Sequence, residues 1–145
     1  MKFSNTISFE NTYATKLKEI CEKCSPTSFS DSEILLKNYD LGLELGMDKV
    51  FLDSQECLDI FSGCVVSDSS VPISQAYSGH QYGNFNPQMG DGRAILLGEI
   101  NKKDIQLKGS GQTPYSKRGD GKSALGPVLR EYVISEFMHK INIPT

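Results

Sequence analysis

Apolar positions in the first third of the chain recur at helical spacing. Tyr13, Leu17 and Ile20 or Cys21 fall three to four residues apart and predict a first helix, which Ser25-Pro26-Thr27-Ser28 breaks before Ile34, Leu35 and Leu36. A second helix is predicted over about residues 39–45, closed by Gly46, and a third near 54–61 before Gly63, because glycine just past the last periodic residue is a common helix stop. Their apolar faces read as packing surface. The polar segment 68–72, ending in Pro72, is the best candidate linker. Further on the period changes. Residues 94–100 are a nearly continuous apolar run, 101–104 a polar turn, and 105–108 alternate with period two, which predicts a β-hairpin with Lys108 near the end of its second strand. From Pro127 to about Asn142, Val128, Leu129, Tyr132, Val133, Phe137, Met138 and Ile141 return to helical spacing. Gly126-Pro127 supplies a start and Pro144 prevents continuation.

At 145 residues the chain fits one ordinary domain or part of one. Ten of its 13 glycines lie between positions 79 and 126. That is more backbone freedom than a core needs, and it suits tight turns or close approach of backbone to a ligand. Net charge is -3, but it is unevenly placed: residues 1–100 carry 7 basic and 14 acidic side chains, residues 101–145 carry 8 and 4. A bound anion is therefore sought in the last third, while the overall charge offers no general attraction to nucleic acid or to an anionic membrane. No run reaches the roughly 18 to 20 apolar residues of a membrane-spanning helix, and MKFSNTISFENT lacks the apolar stretch of a secretory signal, so a cytoplasmic chain is expected. Cys21 and Cys24 have the spacing of half a zinc site. Cys57 and Cys64 do not complete it, so ordinary reduced thiols and no metal site are expected.

Three Gly-x-Gly elements carry the candidate chemistry: Gly90-Asp91-Gly92, Gly109-Ser110-Gly111 and Gly119-Asp120-Gly121. The first stands directly before a strong strand, where its N–H groups and Arg93 suit phosphate oxygens. The third ends like a Walker A loop in Gly121-Lys122-Ser123, but Ser116 stands where that motif needs glycine. A relaxed dinucleotide fingerprint also fits 119–124, yet no buried strand precedes it. The order loop, strand, turn, strand ending in lysine, loop, helix carrying glutamate is more informative. It is the order of a protein-kinase N-lobe, in which a strand lysine contacts nucleotide phosphates while paired to a helix glutamate. Lys108 is that lysine. Glu131 is preferred over Glu136 as its partner because it lies on the first turns, where a carboxylate also suits the helix N-terminus. His80 and His139 have no neighbours of a metal or nucleophile site and read as structural. Lys117, Arg118 and Lys122 form either a phosphate-facing patch or a solvated loop.

These residues also carry a resemblance. Tyr77-Ser78-Gly79-His80-Gln81-Tyr82-Gly83, the stretch Gln88 to Glu99 containing Gly90-Asp91-Gly92-Arg93, Leu107-Lys108-Gly109-Ser110-Gly111-Gln112-Thr113-Pro114-Tyr115-Ser116, and Gly119-Asp120-Gly121 through Glu131 resemble the selenoprotein O family, also called YdiU or UPF0061. Phe9-Glu10-Asn11-Thr12-Tyr13 looks like its opening motif. The resemblance implies a protein-kinase-like fold that transfers AMP from ATP to Ser, Thr or Tyr hydroxyls of proteins, with Mg2+ or Mn2+. Gly90, Gly92, Arg93, Asp120 and Gly121 then look like nucleotide contacts, and Lys108 and Glu131 like the ion pair that positions the phosphates. Members of that family continue well past the equivalent of Thr145, and the resemblance places the catalytic base and metal ligands in that further part.

The expected architecture is accordingly α+β: a mainly helical segment over 1–70, then a kinase-like N-lobe over 71–145 forming an incomplete domain. Its expected activity is that of the nucleotide-binding part of a protein adenylyltransferase, whose expected partners are ATP, protein substrates and a separately encoded C-terminal half. An inactive remnant, and a stand-alone nucleotide or single-strand-binding module using Tyr82, Phe85 and Tyr115 as stacking surfaces, are the alternatives.

Overall fold

The computed structural model describes residues 7–144. Its order is α1 (Thr12–Lys16), a 3-10 turn (Lys18–Ile20), β1 (Cys21–Lys23), α2 (Tyr39–Glu44), α3 (Lys49–Leu52), α4 (Gln55–Phe61), β2 (Ile73–Gln81), β3 (Asn84–Gly90), β4 (Ala94–Ile100), β5 (Lys103–Lys108) and α5 (Leu125–Lys140). The class is α+β, with a five-stranded antiparallel sheet ordered β1-β2-β4-β5 and β3 paired to β2.

The short helices begin where side chains can cap them. Asn38, Asp48 and Ser54 accept the Leu41, Phe51 and Cys57 N–H groups at 3.0, 2.7 and 3.1 Å. Gly46 and Gly63 end the second and fourth helices at positive φ, as the sequence suggests. The first predicted helix is shorter than its periodicity. Cys21, expected on it, opens β1 and pairs with Gln75, so three residues of ladder override local spacing. Asn11 cannot cap α1 because its side chain donates to Ser69 O and accepts from Val71 N, both at 2.8 Å. The Glu99 carboxylate takes the Thr12 and Tyr13 amides instead.

The predicted hairpin is present as β4 and β5. Its turn, Asn101-Lys102, has positive φ at both residues, the geometry that matches strand twist in two-residue loops. A second hairpin, β2–β3, turns at Tyr82-Gly83 in the same way and has no counterpart in the pattern reading, because its strands are half exposed without a clean alternation and are rich in glycine and amides. In β4, Gly98 sits at φ +135 beside a register shift, and a Cβ there would stand 2.6 Å from Glu10 O.

Buried Ile7, Phe9, Leu45, Met47, Phe51, Leu52, Cys57 and Ile60 pack with Leu97, Ile100 and Leu107, so the core draws on residues from both sides of position 70. The 68–72 segment, expected as a linker, is stitched to the sheet: Ser70 Oγ donates to Leu97 O and Phe9 N–H to Ser69 Oγ.

α5 begins at Leu125, slightly before the predicted start. Gly126 adopts helical conformation directly before Pro127, where a Cβ would crowd the proline ring. The periodicity of α5 predicts a buried face, yet none of its residues is buried; Val133 and Phe137 are 60% and 56% exposed. Among the described residues, no helix is long and apolar enough to cross a membrane.

Candidate functional site

β5 delivers Lys108 to the sheet edge opposite Ala94, and α5 runs past it. Lys108 Nζ donates to Glu131 Oε1 at 2.5 Å, with both side chains about half exposed. That hydrogen bond, then the Lys108 charge and more weakly that of Arg93, hold the Glu131 carboxyl below its ordinary value. Glu136 is occupied elsewhere, accepting from Asn38 Nδ2 at 2.6 Å.

Gly90 to Arg93 connect β3 to β4. The Asp91 N–H continues the β2 ladder to Gln75 O at 2.9 Å, and Arg93 O accepts the Gly109 N–H at 2.7 Å, which locks the loop beside the end of β5. Partial burial raises the Asp91 carboxyl, opposed by hydrogen bonds from the Gln75 backbone and from Gln106 Nε2 and by the Lys108 charge. Arg93 is exposed and forms no ion pair among the described residues.

The three Gly-x-Gly elements, separate in sequence, are brought together. Tyr115 lies on Gly90 so closely that a Cβ there would meet its ring at 2.2 Å. Gly121 is buried at φ +71, and a Cβ would stand 1.9 Å from Gly111 O, while the Gly111 N–H donates to Gly121 O at 3.2 Å. Gln112 Nε2 closes the loop on Gly119 O at 2.7 Å. Asp120 is exposed at the loop's far end, where its Oδ1 accepts the Lys122 N–H; among the described residues it makes no bond to Lys108, Arg93 or Glu131. Lys117 and Arg118 are exposed, and Lys122 lies 5.5 Å from the Phe29 ring centroid.

Pattern reading missed Thr113 and Ser116 as site residues, and it named Tyr115 only as a stacking surface of the alternative binding module. Thr113 Oγ1 donates to Asp91 O and Ser116 Oγ to Gly92 O, each at 2.6 Å. The only signal was a hydroxyl-rich turn around Pro114, which does not say what lies 22 to 24 residues earlier in space.

A cavity of about 290 Å³ opens beside Lys108, bounded by Phe29, Glu33, Phe61, Gly109 and Ser110. A larger groove of about 640 Å³ lies elsewhere, between α2, the β4–β5 turn and α5, lined by side chains of both signs including Glu44, Lys103 and Glu136. The smaller one touches Lys108 but neither Glu131 nor residues 90–93, so the functional argument rests on the ion pair and the loop and not on a cavity. His80 is exposed and stacks edge-on with Phe85, and His139 lies at the far end of α5. All four cysteines are free, and among the described residues no three His, Cys, Asp or Glu side chains cluster to hold a metal ion. Cys64 alone is tuned downward, by hydrogen bonds from Ser62 and Ser28 first.

The structure thus sets a sheet-borne lysine, paired to a helix glutamate, beside a glycine-rich loop, the order of elements expected from the sequence. Several known proteins named as nucleotidyltransferases are similar to this chain. The chain is 49% identical over 142 residues to the protein nucleotidyltransferase YdiU of Methylorubrum populi, 50% identical over 142 residues to that of Rhodopseudomonas palustris, and 48% identical over 145 residues to that of Roseobacter denitrificans. These matches cover 94%, 94% and 97% of this chain but 28%, 29% and 30% of the relatives, whose N-terminal portion it matches. A family model described as protein adenylyltransferase SelO matches residues 4–145, and the chain belongs to that family.

Proposed function

We propose that this chain is the nucleotide-binding part of a protein adenylyltransferase, built as a kinase-like N-lobe, that transfers AMP from ATP to Ser, Thr or Tyr hydroxyls of proteins. The observation that carries the reading is the Lys108–Glu131 pair standing beside the Gly90–Arg93 loop. In this reading a substrate hydroxyl oxygen attacks the α-phosphorus, the bond to the bridging oxygen breaks, and pyrophosphate leaves. Holding the triphosphate still and neutralising its charge accounts for much of such catalysis. Arg93 and Lys108 supply positive charge and loop amides supply donors; Glu131 keeps the Lys108 ammonium in place. Gly90, Gly92, Asp120 and Gly121 complete the assigned nucleotide contacts, the last two through the loop that packs against Gly111. Mg2+ or Mn2+ would neutralise phosphate charge, but the residues described here offer no ligand cluster for it. Its ligands, and the base that receives the hydroxyl proton, are assigned to the part of the protein represented in the remaining length of the relatives. The setting is taken as cytoplasmic, in keeping with four free thiols.

Calorimetry with MgATP tests this reading, first on the chain alone and then with a separately produced polypeptide matching the rest of the Roseobacter relative. Binding in either format, lost in Lys108→Ala with the fold retained, is the expected result. Equal affinity of wild type and Lys108→Ala would remove the role given to Lys108. Absence of binding in both formats would favour an inactive remnant.

A further inference from the structure

We propose that Thr113 and Ser116 are positioning residues of the glycine-rich loop: their hydroxyls hold the Asp91 and Gly92 carbonyls so that the Gly92 and Arg93 amides face the phosphates. This rests on the nucleotide reading above and adds two side chains to it.

The turn that carries them is closed by Ser116 N–H donating to Thr113 O at 3.1 Å, with Pro114 at the position where its fixed φ suits such a turn. Each hydroxyl is committed on both sides. Thr113 Oγ1 accepts the Tyr115 N–H at 3.1 Å, and Ser116 Oγ accepts the Thr113 N–H at 2.7 Å. Their protons are left for the loop carbonyls, which can only accept; both contacts are 2.6 Å. No cis peptide is present, and across a trans peptide the C=O and the following N–H point in opposite directions. Pulling Asp91 C=O toward Thr113 therefore turns the Gly92 N–H away from the turn. Pulling Gly92 C=O toward Ser116 does the same for the Arg93 N–H.

Among the described residues neither of these two amides has an acceptor, whereas the neighbouring Asp91 N–H is used by Gln75 O. Two adjacent free N–H groups aimed the same way, next to the Arg93 guanidinium and the Lys108 ammonium, suit phosphate oxygens. Tyr115, seated on Gly90, closes the side of the loop toward the turn. The glycines let the loop take this shape, and the hydroxyls choose which way its peptides face.

The test is an amide NMR titration of the 145-residue chain with MgATP. In wild type the Gly92 and Arg93 amides are expected to shift most. Ser116→Ala and the near-isosteric Thr113→Val should each weaken binding about ten-fold, the loss expected when a part-buried carbonyl goes unpaired and the loop is no longer held. Ser116→Thr and Thr113→Ser, which keep the hydroxyl, should remain within about two-fold of wild type. Ala and Val variants that bind like wild type through the same two amides would overturn the proposal. A wild-type chain showing no shift at Gly92, Arg93 or Lys108, either alone or with the separately produced polypeptide added, would remove the nucleotide reading for this chain. The turn is then judged without nucleotide, by the backbone heteronuclear NOE of residues 90–93. A fall in Ser116→Ala and Thr113→Val, with Ile95 and Leu97 methyl shifts unchanged, supports the latch. An equally ordered loop overturns it.

Discussion

Lys108 and Glu131 lie 23 residues apart in sequence, and the choice of Glu131 over Glu136 came from its place near the start of a helix. The structure makes the same pairing, and Glu136 accepts instead from Asn38. Because the folded-state value of Glu131 is lowered, the pair contributes above the ordinary glutamate value of 4.5 and is lost as pH falls through the depressed one. A carboxyl 13C titration of Glu131 should thus give a midpoint below 4.5, returning toward it in Lys108→Met. A midpoint unmoved by that substitution would mean the contact does not persist in solution. The pair is half exposed, so its removal should leave the unfolding midpoint nearly unchanged. Asp120 shows the other side of residue-level reading: its motif was visible, but its carboxylate bonds within its own turn rather than to Lys108 or Arg93.

Elements with strong local signals follow the pattern closely. α2, α4 and the β4–β5 hairpin have caps, glycine stops or a continuous apolar run, each a property of a few neighbouring residues. β1, β2 and β3 do not. Cys21–Lys23 becomes a strand only because Ile73–Gln75 is there to pair with it, and β2–β3 carries too little apolar alternation to announce itself. Gly98 marks where one element depends on another: its positive φ lets β4 shift register while Glu10 and Glu99 exchange backbone hydrogen bonds at 2.9 and 2.7 Å. Gly98→Ala is expected to cost about 2 kcal/mol or more in urea unfolding, from strained backbone and collision with Glu10 O. Wild-type stability in that variant would show that the strand relaxes without loss.

For the molecule as a whole, α5 is tied by the Lys108–Glu131 and Asn38–Glu136 contacts, while Val133, Ile134 and Phe137 are exposed. Such a surface should bind a hydrophobic dye. Val133→Lys with Phe137→Lys should lower that signal while shifting stability by no more than about 0.5 kcal/mol, because neither side chain is buried. Unchanged dye binding in the double variant would place the exposed apolar surface elsewhere. The sequence by itself determined the α+β class, the helix stops, the hairpin and the family, since these rest on local periodicity, turn chemistry and long motif runs. Only the tertiary structure decided that residues before and after position 70 share one core, that the three Gly-x-Gly elements form one packed unit, and that Thr113 and Ser116 grip the loop of Asp91 and Gly92. A hydrogen bond or a close approach across more than twenty residues leaves no periodic trace in a sequence, because it depends on where two loops arrive and not on the spacing within either.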